Sequence, residues 1–377
     1  MFKRIVGLFL FWKIILIIFA LIAPLFLTIP AQSQQYLGNI IFPNAHYLNW
    51  IWANFDGVRY LYTVENGYRE FNFAFFPFLP FTIYLIHRIF NISPLIAGIA
   101  ISNLAFFASL FVVYKIILLD YNKKIAWQTL LFLAIFPVSF YYNSVYTESL
   151  YLLLATLSFY YARKSNWLPA GILGYLAGLT RFVGIALFPA LLIEWAQQNN
   201  FNLQKLKKKF FKSKVFFTFL IPLAIVTYST YLKIRFGDFL LFQKSMANWE
   251  QNKFVFPLQV LWRYFRVLVV FPNRSNFIYW VMILELIAIF LYFALSIYVW
   301  KKIRISYGAF MLISLIIPAC TGTFQSMPRY ILHLFPAFLA IALLTEKNKL
   351  LFWGTAIIFL ILGFIFTSLF TRGYFIG

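Results

Sequence analysis

The side chains best suited to chemistry stand together early in the chain, in ANFDGVRYLYTVENGYREFNFAFFPFLPF, residues 53–81. Asp56 lies there among aromatic residues, just after a long apolar run, and is followed by Gly57. A carboxylate at the edge of a low-dielectric region is well suited to act as a general base. Asp56 is therefore the predicted catalytic base, and Gly57 would leave room for a substrate close to the backbone.

Charged residues also occur where later apolar runs meet. Glu148 follows FPVSFYYNSVYT and opens an apolar run, so we expect it in the first turn of a helix and assign it to substrate binding. Arg181 and Arg329 lie between short apolar runs. An arginine facing lipid costs on the order of 2.5–3.5 kcal/mol, so both are expected at turns facing a cavity. Guanidinium groups bind phosphate bidentately, which makes Arg181, Arg329 and Arg59 the predicted phosphate ligands.

The chain is rich in aromatic residues, with 49 Phe, 24 Tyr and 11 Trp. Most are expected to serve packing and interfacial belts, while Tyr60, Tyr146 and Trp249 are candidates for substrate binding, by stacking on a sugar or guiding a prenyl chain. Simpler alternatives remain open for the acids. Asp56 could belong to an ordinary Asp-Gly turn, and Glu148 could only balance a helix dipole.

Metal and cofactor chemistry is not indicated by the sequence. The acidic residues form no Asp-x-Asp pair, which a nucleotide-sugar transferase would use to hold Mg²⁺ or Mn²⁺. His46, His87 and His333 show no zinc-ligand spacing. We therefore predict neither a metal site nor a cofactor, and one cysteine, Cys320, allows no disulfide framework.

These residues sit in a strongly apolar chain, since 63% of the 377 residues are apolar and 11% are charged. Runs near the length that spans a bilayer recur throughout, which predicts an all-α polytopic membrane protein, a bundle of about 11 transmembrane helices forming a single domain. The domain covers residues 1–377, and the predicted spans are residues 5–29, 94–118, 125–142, 147–162, 167–181, 183–196, 215–234, 277–300, 306–322, 330–345 and 350–371.

Loop charges suggest how the chain is threaded. A further run, residues 74–90, contains Pro77 and Pro80 and is predicted to dip into the membrane and return. The lysine-rich loops, including KLKKKFFKSK, then all fall in the cytoplasm, as the positive-inside rule requires. The net charge of +22 thus reflects membrane topology, and nucleic acid is not an expected partner.

Two long segments would face the other side. Residues 31–93 form the predicted outer catalytic loop, and residues 235–276 form an outer segment with an amphipathic helix at 257–271. Arg263 and Arg266 lie on one face of that helix. The outer face is rich in arginine, as expected where anionic head-group chemistry takes place.

Five blocks resemble one known family. They occur in the order NFDGVRYLYTVENGYREFNFAFFPFLP, FPVSFYYNSVYTESLYLLL, LAGLTRFVGIALFPALL, FQKSMANW and SMPRYILHLFP. In this order the chain resembles the family of the glycosylphosphatidylinositol (GPI) mannosyltransferase that adds the second mannose, together with its bacterial relatives. That family belongs to the GT-C glycosyltransferases, which span the membrane many times and use lipid-phosphate sugar donors.

The resemblance implies roles for particular residues. It makes Asp56 the catalytic base, and it matches Glu148 and the arginines Arg181 and Arg329 to the family's motifs. Arg59 stands where the family usually has histidine. The implied reaction is inverting transfer of a sugar, expected to be mannose, from a polyprenyl-phosphate donor to a lipid-linked or surface glycan acceptor.

The implied location is the non-cytoplasmic face of a bilayer, the plasma membrane in a bacterium or the endoplasmic reticulum in a eukaryote. A transporter or flippase of lipid-linked sugars is the main alternative. It would need charged residues at mid-span on several helices, whereas only Lys13 and Glu285 lie clearly at depth. A polymerase or ligase using a diphosphate-linked carrier is a third possibility.

Overall fold

The computed structural model describes residues 1–69 and 71–376, and within them the chain forms helices and no β-strand. The all-α prediction is confirmed. The α-helices are α1 (Phe2–Ile22), α2 (Tyr47–Trp50), α3 (Asp56–Asn66), α4 (Phe78–Phe90), α5 (Pro94–Ile117), α6 (Lys123–Ile135), α7 (Glu148–Arg163), α8 (Trp167–Thr180), α9 (Leu187–Gln198), α10 (Leu203–Lys209), α11 (Leu220–Phe236), α12 (Leu241–Ser245), α13 (Pro257–Phe265), α14 (Phe277–Lys302), α15 (Ile305–Ala319), α16 (Met327–Tyr330), α17 (Phe335–Thr345) and α18 (Lys349–Thr371). Short 3-10 helices occur at Ala23–Leu25, Ala31–Tyr36, Gly38–Ile40, Ile51–Ala53, Ser139–Tyr142, Phe182–Ala186, Val215–Phe219, Met246–Trp249 and Ile331–His333, and a π-helical turn occurs at Arg266–Val270.

Several helices are long and apolar enough to cross a membrane, so the protein is a multi-pass membrane protein. Among the described residues five qualify, or six if two helices that meet at an 88° bend form one broken span. The other apolar helices fall short of the roughly 20 residues a span needs, so the predicted count of about 11 spans stays a prediction. The qualifying helices are Phe2–Leu25, Pro94–Ile117, Val215–Phe236, Phe277–Lys302 and Lys349–Thr371, and the bent pair is Met327–His333 with Phe335–Thr345.

Two predicted spans differ from the helices that form. The run 125–142 is helical only to Ile135, because Pro137 forces Phe136 into an extended conformation and the chain continues as a loop with one 3-10 turn. The run 330–345 is broken before Phe335, since Pro336 fits the first turn of a new helix and not the middle of an old one.

Helices also form in the two segments, 74–90 and 257–271, that are not among the predicted spans. The run 74–90 yields α4, a helix of 13 residues, and its dip into the membrane stays a prediction. The amphipathic helix predicted at 257–271 forms as α13 followed by the π-helical turn. Its location in the outer interface is likewise a prediction.

The chain divides into two compact units. The first unit contains residues Met1–Thr156 and Ile341–Ile376, and the second contains Leu157–Ala340. This division does not test whether the chain forms a single domain, which stays a prediction.

In the first unit, α1 packs against α5, α6 and α18 through aromatic side chains. Trp12 of α1 lies 4.5 Å from the ring of Phe106 on α5, and Phe106 in turn stacks on Tyr142 at 4.3 Å. On the α18 side, Phe19 meets Phe364 edge to face at 5.2 Å. Such offset and edge-to-face contacts are favourable aromatic geometries. The loop after α6 is thereby fixed to the long helices.

In the second unit, α8 packs closely against α11 and the turn before it along a row of glycines. A Cβ atom on Gly171 would lie 2.1 Å from the Phe217 carbonyl oxygen, and one on Gly178 would lie 2.7 Å from the Ala224 Cβ. Small residues let helix backbones approach in this way in membrane proteins. Because the glycines of α8 allow this close approach, we expect that α8 and α11 cannot separate or slide without loss of packing.

A buried ionic cluster joins α7, α9 and the start of α15 in the same unit. Glu194 is fully buried and accepts two parallel hydrogen bonds of 2.7 Å from the Arg304 guanidinium, a bidentate pair. Arg163 approaches the same carboxylate at 3.4 Å. Ser306 donates at 2.6 Å and Gln198 at 2.7 Å, so both oxygens of Glu194 are well occupied.

Candidate active site

Asp56 is placed by a strained turn. It is the first residue of α3, and the residue before it, Phe55, has φ 57° and ψ −112°. A positive φ is unusual for a bulky aromatic residue and costs on the order of 1–3 kcal/mol, so it persists only where the surroundings impose it. Such strained residues are concentrated at functional sites.

Four hydrogen bonds hold that turn from both sides. The Asp56 backbone N–H donates to the Tyr146 hydroxyl at 3.2 Å, and the hydroxyl donates to the Asn54 carbonyl at 2.9 Å. The Phe55 N–H donates to the Tyr36 carbonyl at 2.6 Å. Asn54 itself is fully buried, and its side-chain amide donates to the Phe370 carbonyl at 3.0 Å. The direction in which α3 begins is thus fixed by parts of the chain distant in sequence.

The loop that supplies Tyr146 is fixed in turn by α1. The Trp12 indole donates to the Ser139 hydroxyl at 3.3 Å. Lys13, noted in the sequence as a charge at depth, donates to the Asn143 amide oxygen and, at 3.1 Å, to Asn103 on α5. Lys13 is therefore used inside the first unit to hold the loop that reaches Asp56.

Gly57, directly after Asp56, is buried against neighbouring parts of the first unit. A Cβ atom at Gly57 would lie 3.4 Å from the Ala53 Cβ and 3.5 Å from the Val145 carbonyl oxygen. These are ordinary van der Waals distances, so a Cβ atom would fit here. The room for a substrate at Gly57 stays a prediction.

Glu148 is the first residue of α7, as expected, and is 1% exposed. It follows Tyr146 by two residues, so the loop that holds Asp56 leads directly into the helix that begins with Glu148. The two candidate acids both belong to the first unit. The assignment of Glu148 to substrate binding stays a prediction.

Arg59 and Tyr60 lie one turn after Asp56 on α3. The Arg59 guanidinium carbon is 4.8 Å from the centre of the Phe71 ring, a cation–π contact. Tyr60 is 7% exposed, and its ring meets Phe75 edge to face at 4.9 Å. Much of the Tyr60 ring is thus in contact with other protein side chains. The proposed contacts of Tyr60 and Tyr146 with a sugar stay predictions.

Arg181 and Arg329 belong to the second unit, and a tyrosine links their segments. Arg181 is the extended residue between α8 and the 3-10 turn Phe182–Ala186, a break at the position that the sequence suggested. Its guanidinium carbon lies 5.1 Å from the centre of the Tyr330 ring. Arg329 precedes Tyr330 in the short helix α16 and is 9% exposed. The two segments therefore meet at Tyr330.

The turn that carries Arg329 is held by two buried side chains. Tyr264 of α13 accepts a hydrogen bond from the Phe324 N–H at 3.0 Å and donates one of 2.6 Å to the Glu285 carboxylate. The other carboxylate oxygen of Glu285 accepts from the Ser326 N–H at 3.2 Å. Burial, together with the neighbouring charge of Glu285, raises the pKa of Tyr264 well above its usual value, so the hydroxyl keeps its proton.

Trp249, the remaining aromatic candidate, ends the 3-10 turn Met246–Trp249 and is half-buried. Its role in substrate binding stays a prediction. No pattern in the sequence indicates the roles of Asn54, Tyr264 and Ser326. Glu285 is noted in the sequence as a charge at depth, and an ionisable residue within an apolar helix is by default a candidate for function.

These features together define a class. The apolar helices make a multi-pass membrane protein. The turns before Asp56 and before Arg329 are each strained and held by buried side chains. Residues 2–237 match the family described as Mannosyltransferase (PIG-V), and the chain belongs to that family. A search of curated proteins found no match. The family supports mannosyltransferase activity, which implies a lipid-linked sugar donor and a glycan acceptor within a bilayer. The matched residues include Asp56, Glu148 and Arg181, whereas Trp249 and Arg329 lie beyond them.

Proposed function

We propose that the protein is an inverting mannosyltransferase that uses a polyprenyl-phosphate sugar as donor. The acceptor is a lipid-linked or surface glycan, and the reaction takes place at the non-cytoplasmic face of the membrane. Membership of the mannosyltransferase family supports the class of reaction. The donor, the stereochemistry and the residue roles are part of the proposal.

Asp56 acts as the general base in this proposal. Its carboxylate takes the proton from an acceptor hydroxyl, and the hydroxyl oxygen forms a bond to C1 of the sugar from the face opposite the phosphate. The bond between C1 and the phosphate oxygen breaks, and the oxygen keeps the electron pair. The anomeric centre is inverted, and polyprenyl phosphate leaves as an anion.

Arg181 and Arg329 stabilise that leaving group. A phosphate monoester anion is already a weak base, and charge-assisted hydrogen bonds from guanidinium groups stabilise the negative charge that it gains in the transition state. Arg59, on the same helical face as Asp56, is the third proposed phosphate ligand. Glu148, Tyr60, Tyr146 and Trp249 are proposed to bind the sugar, the acceptor or the prenyl chain.

One observation carries the proposal, namely the strained backbone at Phe55 directly before Asp56. A base must be held within hydrogen-bond reach of the proton that it removes, because transfer is efficient only in a narrow geometry. The bonds from Tyr146, Tyr36 and Asn54 impose the strain and so preorganise the carboxylate.

The test is transfer by purified, reconstituted protein given labelled polyprenyl-phosphate mannose and a panel of glycolipid acceptors. We expect labelled product and free polyprenyl phosphate in equal amounts, with an inverted anomeric bond. Asp56→Asn should lower the rate about 10²- to 10⁴-fold, the usual contribution of a general base.

Glu65→Gln is the matched control, because Glu65 is an exposed acid on the same helix. It should leave the rate unchanged, and both variants should unfold at the wild-type temperature. Retained transfer by Asp56→Asn would reject the role of Asp56. Movement of the lipid-linked sugar across the bilayer without cleavage of the C1–phosphate bond would instead support the transporter alternative.

A further inference from the structure

The turn from Gly322 to Arg329 depends on other parts of the chain for its shape. Its Phe324 N–H is bonded to the Tyr264 hydroxyl, and its Ser326 N–H is bonded to the Glu285 carboxylate. The Tyr264 and Glu285 side chains are also bonded to each other, at 2.6 Å, and are 7% and 3% exposed. A single buried pair therefore supports two backbone groups of one turn.

The turn contains a strained residue at the point where Glu285 binds. Ser326 has φ 69°, in the left-handed region that favours glycine. Its carbonyl oxygen accepts the N–H groups of Arg329 and Tyr330, at 3.0 and 3.3 Å, so the conformation of Ser326 sets where α16 begins. A strained residue of this kind persists only when its surroundings hold it.

A third bond from α14 reaches the same segment. The Tyr292 hydroxyl donates to the Pro328 carbonyl at 2.8 Å. Glu285 and Tyr292 are seven residues apart, two turns of the helix, and hence on one face of α14. Ser326 and Pro328, both within the turn that leads to Arg329, are thus tied to one helix at two points.

We propose that Glu285 and Tyr264 are positioning residues for the donor phosphate. They hold Ser326 in its strained conformation and thereby fix the orientation of Arg329. This inference rests on the proposed function, in which Arg329 binds the phosphate of the polyprenyl-phosphate donor. It also gives a use to the acid at depth in α14, which the reaction itself does not employ.

The chemistry of the pair explains why a carboxylate is needed. Glu285 receives two donors, a tyrosine hydroxyl and a backbone N–H, one on each oxygen. Glutamine has one acceptor oxygen, and its amide nitrogen would meet the Tyr264 hydroxyl as a second donor. The Tyr264 hydroxyl can accept hydrogen bonds from both the glutamine amide and the Phe324 N–H. Glu285→Gln should therefore keep part of the hydrogen bonding that supports the turn. Glu285→Leu keeps none of it, because leucine has no hydrogen-bonding group.

The experiment compares Glu285→Gln, Glu285→Leu and Tyr264→Phe in the purified full chain. Kinetics with polyprenyl-phosphate mannose should show a donor KM raised about tenfold in Tyr264→Phe and in Glu285→Leu, the effect of one lost charge-assisted hydrogen bond, and raised less in Glu285→Gln. The acceptor KM should not change. Backbone amide hydrogen exchange over residues 322–330 should speed up in the same order.

Tyr307→Phe is the matched control. Tyr307 is buried at least as deeply as Tyr264, and its hydroxyl accepts a 2.8 Å hydrogen bond from Arg163, next to the Glu194 cluster. Removing this hydroxyl should leave exchange over residues 322–330 and the donor KM at their wild-type values. Tyr264→Phe and Glu285→Gln keep side-chain volume, so the test stands even if Glu285→Leu does not fold.

Faster exchange over residues 322–330 with a raised donor KM supports the inference. Unchanged exchange in Tyr264→Phe and both Glu285 variants overturns it, as does an equal rise of donor and acceptor KM. Arg329→Ala separates this result from the proposed function. If Arg329→Ala keeps the wild-type donor KM, Arg329 does not bind the donor phosphate. The inference that Glu285 and Tyr264 act on donor binding then fails as well, even if amide hydrogen exchange shows that they hold the turn.

Discussion

The second unit contains two buried glutamates, and they are held in opposite ways. Glu194 sits on a regular helix and is surrounded by the guanidinium groups of Arg304 and Arg163. Glu285 has no cation bonded to it among the described residues and binds a tyrosine hydroxyl and a strained backbone N–H. The first arrangement joins three helices, whereas the second shapes one turn. A buried acid thus serves stability when its partners are charges on regular helices, and local geometry when its partners belong to a turn.

The largest effect on this comparison should come from removal of the ionic cluster. Glu194→Ala leaves two guanidinium groups without their anion, which typically costs about 3–5 kcal/mol of the free energy of unfolding. Unfolding in detergent, measured against the wild type, would give this value. The activity of the molecules that remain folded should be unchanged.

Glu346→Ala is the control for that variant. Glu346 pairs with Lys124 at 3.7 Å, but the lysine side chain is 60% exposed. An exposed pair contributes at most about 1 kcal/mol, because solvent screens it. If both variants lose the same small free energy of unfolding, Glu194 is no more important to stability than a surface acid.

An intermediate effect should follow from exchanging arginine for lysine in each region. Arg329→Lys keeps the charge but loses the planar fork, so the donor KM should rise about tenfold while stability holds. Arg304→Lys should do the reverse, lowering the unfolding temperature and leaving the donor KM unchanged. Steady-state kinetics and thermal unfolding of both variants give this double comparison. A fall in stability for Arg329→Lys, without a change in donor KM, would contradict it.

The smallest effect should come from relief of the strained serine. Ser326→Gly removes the cost of a positive φ, but glycine loses more chain entropy on folding, so the net gain should stay below about 1 kcal/mol. Ser165 has φ 58° between α7 and α8 and is exposed, which makes Ser165→Gly the matched control. Both variants should unfold at or slightly above the wild-type temperature.

Only one of these serines should matter for transfer. Ser326→Gly frees the start of α16, so its donor KM should rise, whereas Ser165→Gly should transfer sugar like the wild type. Equal kinetics in the two variants would show that the conformation of Ser326 does not set the position of Arg329.

Much of this architecture follows from local sequence. Apolar runs predict the helices, and the positions of Glu148 at a helix start and of Arg181 at a break follow from the change from polar to apolar residues. Proline explains the two corrected spans, since Pro137 and Pro336 end or begin helices inside apolar runs. The position of Asp56 at the start of α3 is likewise consistent with its local sequence.

What supports these residues could not be predicted in the same way. Tyr146 reaches Asp56 across 90 residues of chain, and Glu285 reaches Ser326 across 41. No periodicity reports such contacts, because they depend on which helix faces pack together. The positive φ of Phe55 and Ser326 is imposed by those same contacts and is not a preference of either residue.

The turn near Arg329 has a consequence for spectroscopy. Cys320 is the only thiol in the chain, it is half-buried, and its carbonyl accepts the Val255 N–H at 2.9 Å two residues before Gly322. A small fluorinated tag on this sulfur would report on the segment by NMR without any cysteine having to be removed elsewhere. The chain therefore already contains a single thiol two residues from the turn whose movement is in question.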